Sequence, residues 1–147
     1  MNLGTVGKVM PHRPQQRVKF ISHEMESTPE GHRRAEVTLE IPPNRTFVGT
    51  ADCSEVSPGD LRCAALATVD ALHRAMGDAD NSLELIGARA VRAFDAHVVI
   101  VALSVNADGR TRRLVGSFLA DKDLARGAAI AVLSATNRLL GRMMFAE

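Results

Sequence analysis

The sequence predicts an α+β fold made of two βββα repeats related by pseudo-twofold symmetry, with antiparallel sheets and the helices packed on one face. Three observations support this prediction. The length of 147 residues suits a single domain, and a hydrophobic fraction of 46% is enough to fill its core. Segments with strand and helix periodicity follow in the same order in both halves, and the two halves share residues in register.

The first repeat is expected at residues 17–77, after a flexible arm at residues 1–16, where glycine and proline interrupt any periodicity. The two repeats together make one domain, residues 17–147. Strands of the first repeat are predicted at residues 17–24, 35–41 and 45–52. Residues 35–41 alternate apolar and polar side chains, which is typical of a strand with one buried face.

A helix is expected to follow at residues 61–76, because apolar side chains recur there at helical spacing. Asp60 precedes this segment and is the predicted N-cap, since a carboxylate accepts hydrogen bonds from the free N–H groups of a first turn. Gly77 suits the C-terminal cap.

The second repeat, residues 82–143, has the same organisation. Its strands are predicted at residues 83–93, 97–105 and 111–120, with a hairpin turn at the Asn-Ala-Asp-Gly sequence of residues 106–109. Asp123 is the predicted N-cap of a helix at residues 124–140.

Residues of the two repeats also match one another. A shift of 64 residues aligns residues 64–77 with residues 128–141, and six of the fourteen positions are identical. The same shift aligns the apolar positions of two strands, and a shift of 67 residues places Val48-Gly49 on Val115-Gly116. This shared register of helix and strands indicates an internal duplication.

The segment at residues 97–105 is apolar on both faces of the predicted strand. A strand of this kind lies in the middle of a sheet and is covered on each side, by the other half of the chain or by a second chain. Several exposed aliphatic side chains would cost several kcal/mol at about 25 cal/mol per Å². We therefore expect a homodimer whose interface includes Val99, Val101 and Leu103.

Residues 123–140, with the sequence DLARGAAIAVLSATNRLL, follow Val115-Gly116 and resemble the C-terminal regulatory domain of 2-isopropylmalate synthases and related acyl-CoA condensing enzymes. A shorter stretch of similar sequence occurs at residues 69–72. In element order the resemblance covers about residues 34–143. It implies a pair of βββα units that dimerises and binds an amino-acid end product.

The chain departs from this family in two ways. The family's catalytic barrel is absent from it. The glycine-rich turn before the family's first helix is replaced by the sequence DCSEVSPG at residues 52–59. Condensing activity is therefore excluded. The expected function is a non-catalytic regulatory or ligand-sensing and dimerisation module, not an enzyme.

A ligand site is predicted at the starts of the two helices. Pairing the repeats brings the loops that end at Asp60 and Asp123 to related positions, and each helix N-terminus offers free N–H groups and a positive dipole. Arg110 and Arg112 share one strand face and would supply the counter-charge for a small anionic or amino-acid-like ligand. In the alternative interpretation, the two aspartates already occupy those N–H groups as caps.

Other chemistry finds no support in the sequence. The five histidines show no metal-ligand spacing, and no nucleotide-binding or nucleophile motif occurs, so no metal and no cofactor are expected. Cys53 and Cys63, the only cysteines, are interpreted as core residues. Neither a signal peptide nor a run of about 18 apolar residues is present, which predicts a cytoplasmic protein with no membrane partner.

A double-stranded RNA-binding domain is the alternative. Residues 61–142 have its αβββα element order, and Arg110, Arg112 and Arg113 form a basic cluster. Two observations disfavour it. The net charge is only +1, and Lys122, at the start of the last helix, lies between Asp121 and Asp123, which repel phosphate.

Overall fold

The computed structural model describes residues 17–54, 59–77, 82–107 and 109–145, so the predicted arm at residues 1–16 lies outside it. The described residues form eight elements in the predicted order. Unit 1 consists of β1 (Lys19–Ser27), β2 (His32–Ile41), β3 (Arg45–Ser54) and α1 (Gly59–Met76). Unit 2 consists of β4 (Ser82–Ala93), β5 (Ala96–Ala107), β6 (Arg110–Ala120) and α2 (Leu124–Phe145).

The strands form two separate antiparallel sheets, which confirms the prediction of two βββα units. Sheet A has the order β1-β2-β3 and sheet B the order β4-β5-β6, so each middle strand has neighbours on both sides. Alternate residues of β2 and β5 are buried on the face that carries the helices. These residues are Ala35, Val37, Leu39 and Ile41 in sheet A, and Val99, Val101, Leu103 and Val105 in sheet B.

The two helices lie side by side and cover the inner faces of the sheets. Helix α1 packs on β2 and β3 of its own unit and also contacts β4, whereas α2 packs on β5 and β6 and also contacts β1. Each helix therefore contacts both units. Helix α1 is accordingly lined with alanine and other small side chains that are buried over most of its circumference.

Two glycines show that the units are equivalent in detail. Gly49 of β3 lies against the backbone of α1 at Ala67 and Ala71, and Gly116 of β6 lies against α2 at Ala131 and Ala135. These positions correspond under the shifts of 67 and 64 residues that the sequence predicts. A glycine in the edge strand lets each helix approach its own sheet directly, because no side chain separates the two backbones.

Hydrogen bonds from equivalent positions of the two helices cross between the units. Nε2 of His73, on α1, accepts a hydrogen bond from the backbone N–H of Leu83 at 3.2 Å. At the corresponding position on α2, Asn137 bonds both backbone groups of Val18, with Oδ1 accepting at 2.8 Å and Nδ2 donating at 3.2 Å. Each helix thus holds the chain at the start of the other unit's first strand.

The described helices have no stretch long and apolar enough to span a bilayer.

Candidate functional site: the outer face of sheet B

The outer face of sheet B, which points away from the helices, is largely apolar. The strand register aligns its side chains in rows across β4, β5 and β6: Gly87–Ala102–Val115, Arg89–Ile100–Ser117 and Val91–Val98–Leu119. Val115 and Leu119 are 63% and 65% exposed, and Val91, Ile100 and the bulged Ile86 are also exposed. Exposed aliphatic side chains grouped on one face are a common feature of surfaces that contact other molecules.

Phe94 extends this surface beyond the end of the sheet. It occupies the two-residue turn between β4 and β5, next to the row of Val91 and Val98, and is 98% exposed. Both turn residues have positive φ angles, 55° for Phe94 and 76° for Asp95. This backbone conformation suits a tight hairpin but is unfavourable for a bulky aromatic residue. An aromatic side chain held in solvent at such a turn is typical of an interface anchor.

The opposite end of the same face is polar. Glu84, Ser104 and Arg113 form one row across the three strands, close to the β5–β6 turn. The apolar surface is therefore bounded by charges at one end and by Phe94 at the other. An apolar centre with a polar rim is the usual anatomy of a protein–protein interface.

Sheet A provides an internal comparison, because it occupies the equivalent position in unit 1. Its outer face carries rows of polar side chains, including Glu24–Glu36–Thr50 and Glu26–Arg34–Asp52. Its exposed aliphatic residues are Val48 of β3, which corresponds to Val115, and Ile21 at the bulge of β1, which matches the bulged Ile86 of β4. The architecture is thus compatible with a largely polar outer face, so the more apolar face of sheet B is not a requirement of the fold.

The residues predicted for a dimer interface lie elsewhere. Val99, Val101 and Leu103 are all fully buried on the inner face of β5, the strand on which α2 packs. The sequence predicts the two-sided apolarity of this strand, but the face that points away from the helices is that of Val98 and Ile100. Sequence alternation identifies two faces of a strand without showing which one the helices cover.

Asp60 lies in the first turn of α1 and not at the predicted N-cap, because the helix begins at Gly59. Its carboxylate forms a bidentate pair with Arg33 of β2, whose Nε and Nη2 donate to the two oxygens at 2.9 Å each. Arg33 also donates to Oγ of Ser27 at 3.1 Å. Asp60 therefore connects α1 to sheet A, and its carboxylate is engaged within unit 1.

Asp123 is the N-cap of α2, as predicted, since Oδ1 accepts a hydrogen bond from the N–H of Arg126 at 3.0 Å. Its Oδ2 accepts a second hydrogen bond from Nε2 of His23, on β1, also at 3.0 Å. The pair joins unit 1 to unit 2. Nδ1 of His23 is buried and has no hydrogen-bond partner among the described residues.

The environment of Asp123 shifts its pKa. Burial acts to raise the pKa, but the hydrogen bonds from Arg126 and His23, together with the positive charges of these two residues, outweigh it. The pKa of the Asp123 carboxyl therefore lies below its ordinary value. The folded state favours the ionised carboxylate.

Asp123→Asn is expected to lower stability modestly at neutral pH, by about 0.5 kcal/mol, because the side chain is half exposed and asparagine can still cap the helix. A carboxylate with a depressed pKa stabilises the fold above its unfolded pKa, and this contribution is lost as the pH falls below about 4. Urea unfolding at pH 7, 4 and 2.5 should show the gap between wild type and variant closing in acid. A gap that is the same at all three pH values would contradict this assignment.

Arg126 adds a second connection between the units near Asp123. Its guanidinium group lies over the ring of Phe20, on β1, at 5.6 Å and over that of Phe118, on β6, at 5.9 Å. Both distances fall within the range of cation–π interactions. The start of α2 therefore connects the two units.

Arg110 and Arg112 share one face of β6, as predicted, and lie opposite Ala107 and Val105 of β5. This is the inner face, which the sequence does not specify. They lie at the beginning of the strand, whereas α2 starts after its end at Ala120. About ten residues of extended chain, roughly 30 Å, separate them from Asp123. The structure therefore does not bring the four predicted ligand residues together.

Cys53, at the end of β3, and Cys63, on α1, form a disulfide with a Cα–Cα distance of 5.8 Å. Cys63 is fully buried in the core, as expected, and Cys53 packs at its edge. The sequence does not predict the bond, because ten residues separate the two cysteines and their approach depends on how α1 docks on sheet A.

A polar cleft of about 370 Å³ lies beside the turn between β1 and β2. Its lining carries charges of both signs, from Glu26, Glu30, Arg34 and Asp52, and also includes His32. Nε of Arg34 lies 3.8 Å from Oδ1 of Asp52. Among the residues that the structure describes, no three potential metal ligands converge.

No protein-family model and no curated protein matches this chain.

Proposed function

We propose that the chain is a non-catalytic regulatory or ligand-sensing module that works as a homodimer, and that two copies associate through the outer faces of their B sheets. The observation that carries this proposal is the contrast between the two sheets. Equivalent outer faces are polar in unit 1 and apolar in unit 2, and Phe94 stands fully exposed beside the apolar one. A partner that covers sheet B would remove its exposed aliphatic side chains from water.

The size of the face fits a dimer. Three strands spaced about 4.8 Å apart and roughly 35 Å long present about 500 Å². Two such faces bury about 1,000 Å², which is close to the lower limit for a specific interface. Phe94 and its partner's copy extend the contact beyond the sheet.

Charge favours pairing of two B faces over pairing of sheet B with sheet A. If sheet B met the outer face of sheet A in another copy, Val115 and Leu119 would desolvate carboxylates such as Glu24 and Glu36. Removing ionised groups from water without partners is costly. Pairing of two B faces about a twofold axis covers no carboxylates in the apolar rows and closes the assembly. The one charged residue in these rows, Arg89, lies on the edge strand β4, where its guanidinium can stay hydrated.

The ligand-sensing half of the proposal rests on the resemblance to amino-acid-binding regulatory domains and on the cleft beside the β1–β2 turn. Its carboxylates and Arg34 offer partners for both the ammonium and the carboxylate group of a small amino acid. RNA binding has weaker support. Arg110 and Arg112 lie far from the start of α2, where an RNA-binding domain of this element order contacts phosphate.

Sedimentation velocity at micromolar concentration tests the dimer. We expect wild type to sediment as a dimer and the double variant Val115→Asp/Leu119→Asp as a folded monomer, because two charges on the apolar face oppose its burial. Val48→Asp is the matched control, since Val48 is the counterpart of Val115 on the polar face. It should leave the dimer intact.

A monomeric wild type, or a Val48→Asp variant that dissociates as readily as the double variant, would refute the proposed interface. Repeating the measurement with a panel of amino acids at millimolar concentration tests ligand sensing, because a bound effector shifts the dimerisation constant through linkage. A constant that no ligand changes would remove that half of the proposal. Retention on double-stranded RNA that weakens with salt would favour the alternative function.

A further inference from the structure

Units 1 and 2 differ where the edge strand of each sheet meets the start of its helix. In unit 1 this joint holds the disulfide between Cys53 and Cys63. In unit 2 the corresponding residues are Ala120 and Gly127, and a Cβ added to Gly127 would meet Cβ of Ala120 at 3.0 Å. Because the same joint forms in unit 2 with two small residues, the fold does not require a covalent bond there.

The two sulfur atoms differ in access. Cys63 is completely buried, whereas Cys53 is partly exposed at the end of an edge strand. A nucleophile arriving from solvent therefore reaches Sγ of Cys53 and not Sγ of Cys63. Thiol–disulfide exchange depends on such access and on which sulfur is attacked.

The joint also accommodates the reduced state. Sγ of Cys63 lies 3.3 Å from the carbonyl oxygen of Ala51 and 3.8 Å from that of Arg33. A disulfide sulfur has no hydrogen to donate, but a thiol is a weak donor. Reduced Cys63 would therefore find an acceptor without rearrangement of the backbone.

From these observations we propose that Cys53 is a thiol–disulfide exchange site, through which a dithiol reductant opens the link between β3 and α1. A thiolate of the reductant attacks Sγ of Cys53 and forms a mixed disulfide. The bond between Cys53 and Cys63 breaks, and its electron pair leaves on Cys63, which takes a proton and donates to Ala51. The reductant's second thiol, once deprotonated, then attacks the mixed disulfide and releases Cys53 as a thiolate, which is protonated. The protein gains two electrons and two protons, and the reductant becomes a cyclic disulfide.

The reduced protein is expected to stay folded. Arg33 and Asp60 still hold the start of α1 to β2 when the disulfide is open. Reduction would therefore loosen the joint between β3 and α1 while leaving the rest of the core in place. This inference is independent of the proposed dimer, because the joint lies in unit 1 and the dimer face belongs to unit 2.

The test uses the full chain without denaturant. Dithiothreitol at neutral pH, followed by an acid quench, alkylation and mass spectrometry, should show both cysteines converted to thiols. The melting temperature should fall by about 5–10 °C on reduction, because the bond restricts the unfolded chain. The double variant Cys53→Ala/Cys63→Ala, which imitates the small residues of unit 2, should show no response to dithiothreitol.

Single variants identify the attacked sulfur. With glutathione disulfide as the probe, Cys53 in the Cys63→Ser variant should form a mixed disulfide at least tenfold faster than Cys63 in the Cys53→Ser variant. Equal rates would overturn the assignment of Cys53. A disulfide that dithiothreitol reduces only under denaturing conditions would identify a purely structural bond and overturn the proposal, as would two free thiols in the untreated protein.

Discussion

We expect Gly49→Ala and Gly116→Ala to destabilise the protein by at least about 3 kcal/mol each, a large fraction of the stability of an ordinary domain. A Cβ at Gly49 would overlap the backbone of α1 and lie 2.8 Å from Cα of Ala71. At Gly116 it would lie 2.6 Å from the backbone nitrogen and 2.8 Å from Cβ of Ala135. Backbone atoms cannot move aside without shifting the whole helix, so relief by a change of rotamer is not available.

Gly87→Ala is the matched control, because this strand glycine has no heavy atom within 4 Å of an added Cβ. It should change the free energy of unfolding by no more than about 0.5 kcal/mol. Urea unfolding followed by circular dichroism measures all three variants. A Gly49→Ala protein with a wild-type midpoint would show that α1 does not approach β3 as closely as described.

Val101→Asp is expected to give an unfolded or insoluble chain. Val101 is fully buried on the inner face of β5, between Ala88 and Gly116 on the neighbouring strands. An ionised carboxylate there would have no partner, and the cost exceeds about 4 kcal/mol. Expression, solubility and far-ultraviolet circular dichroism provide the measurement.

Ile100→Asp, one residue earlier, should behave differently. Ile100 lies on the outer face beside Arg89 in the same row, so the new carboxylate is hydrated and has a cation nearby. This variant should fold and lose dimerisation. If Val101→Asp instead gave a folded monomer, the interface would lie on the face predicted from the sequence, and the assignment of inner and outer faces would be wrong.

The sequence predicts the order of all eight elements because local signals mark them. The alternation of residues 35–41 and the glycines and prolines between segments depend only on neighbouring residues. Boundaries are less accurate. Strand β2 begins at His32, three residues before the predicted start, because backbone pairing with β1 and β3 continues through Arg33 and Arg34 whatever their side chains.

Other features depend on how distant segments meet, and local patterns do not contain that information. Asp123 was recognised as a cap from its position alone, but its partner His23 lies 100 residues away. The separation of Arg110 and Arg112 from Asp123, by contrast, is local: the strand predicted at residues 111–120 already places the two arginines at the end of β6 that is remote from α2. The exposure of Phe94 likewise follows from the turn that joins β4 to β5.

The crossed bonds of His73 to Leu83 and of Asn137 to Val18 have an evolutionary consequence. Each helix secures the other unit, so a gene encoding one unit would already specify this architecture as a pair of identical chains. Joining two copies end to end would retain every contact while freeing each copy to diverge. Gly49 and Gly116, which both units share, set the approach of each helix to its own sheet and so belong to the single unit. The cysteine pair and the apolar outer face each occur in only one unit, so neither is needed for the units to pair.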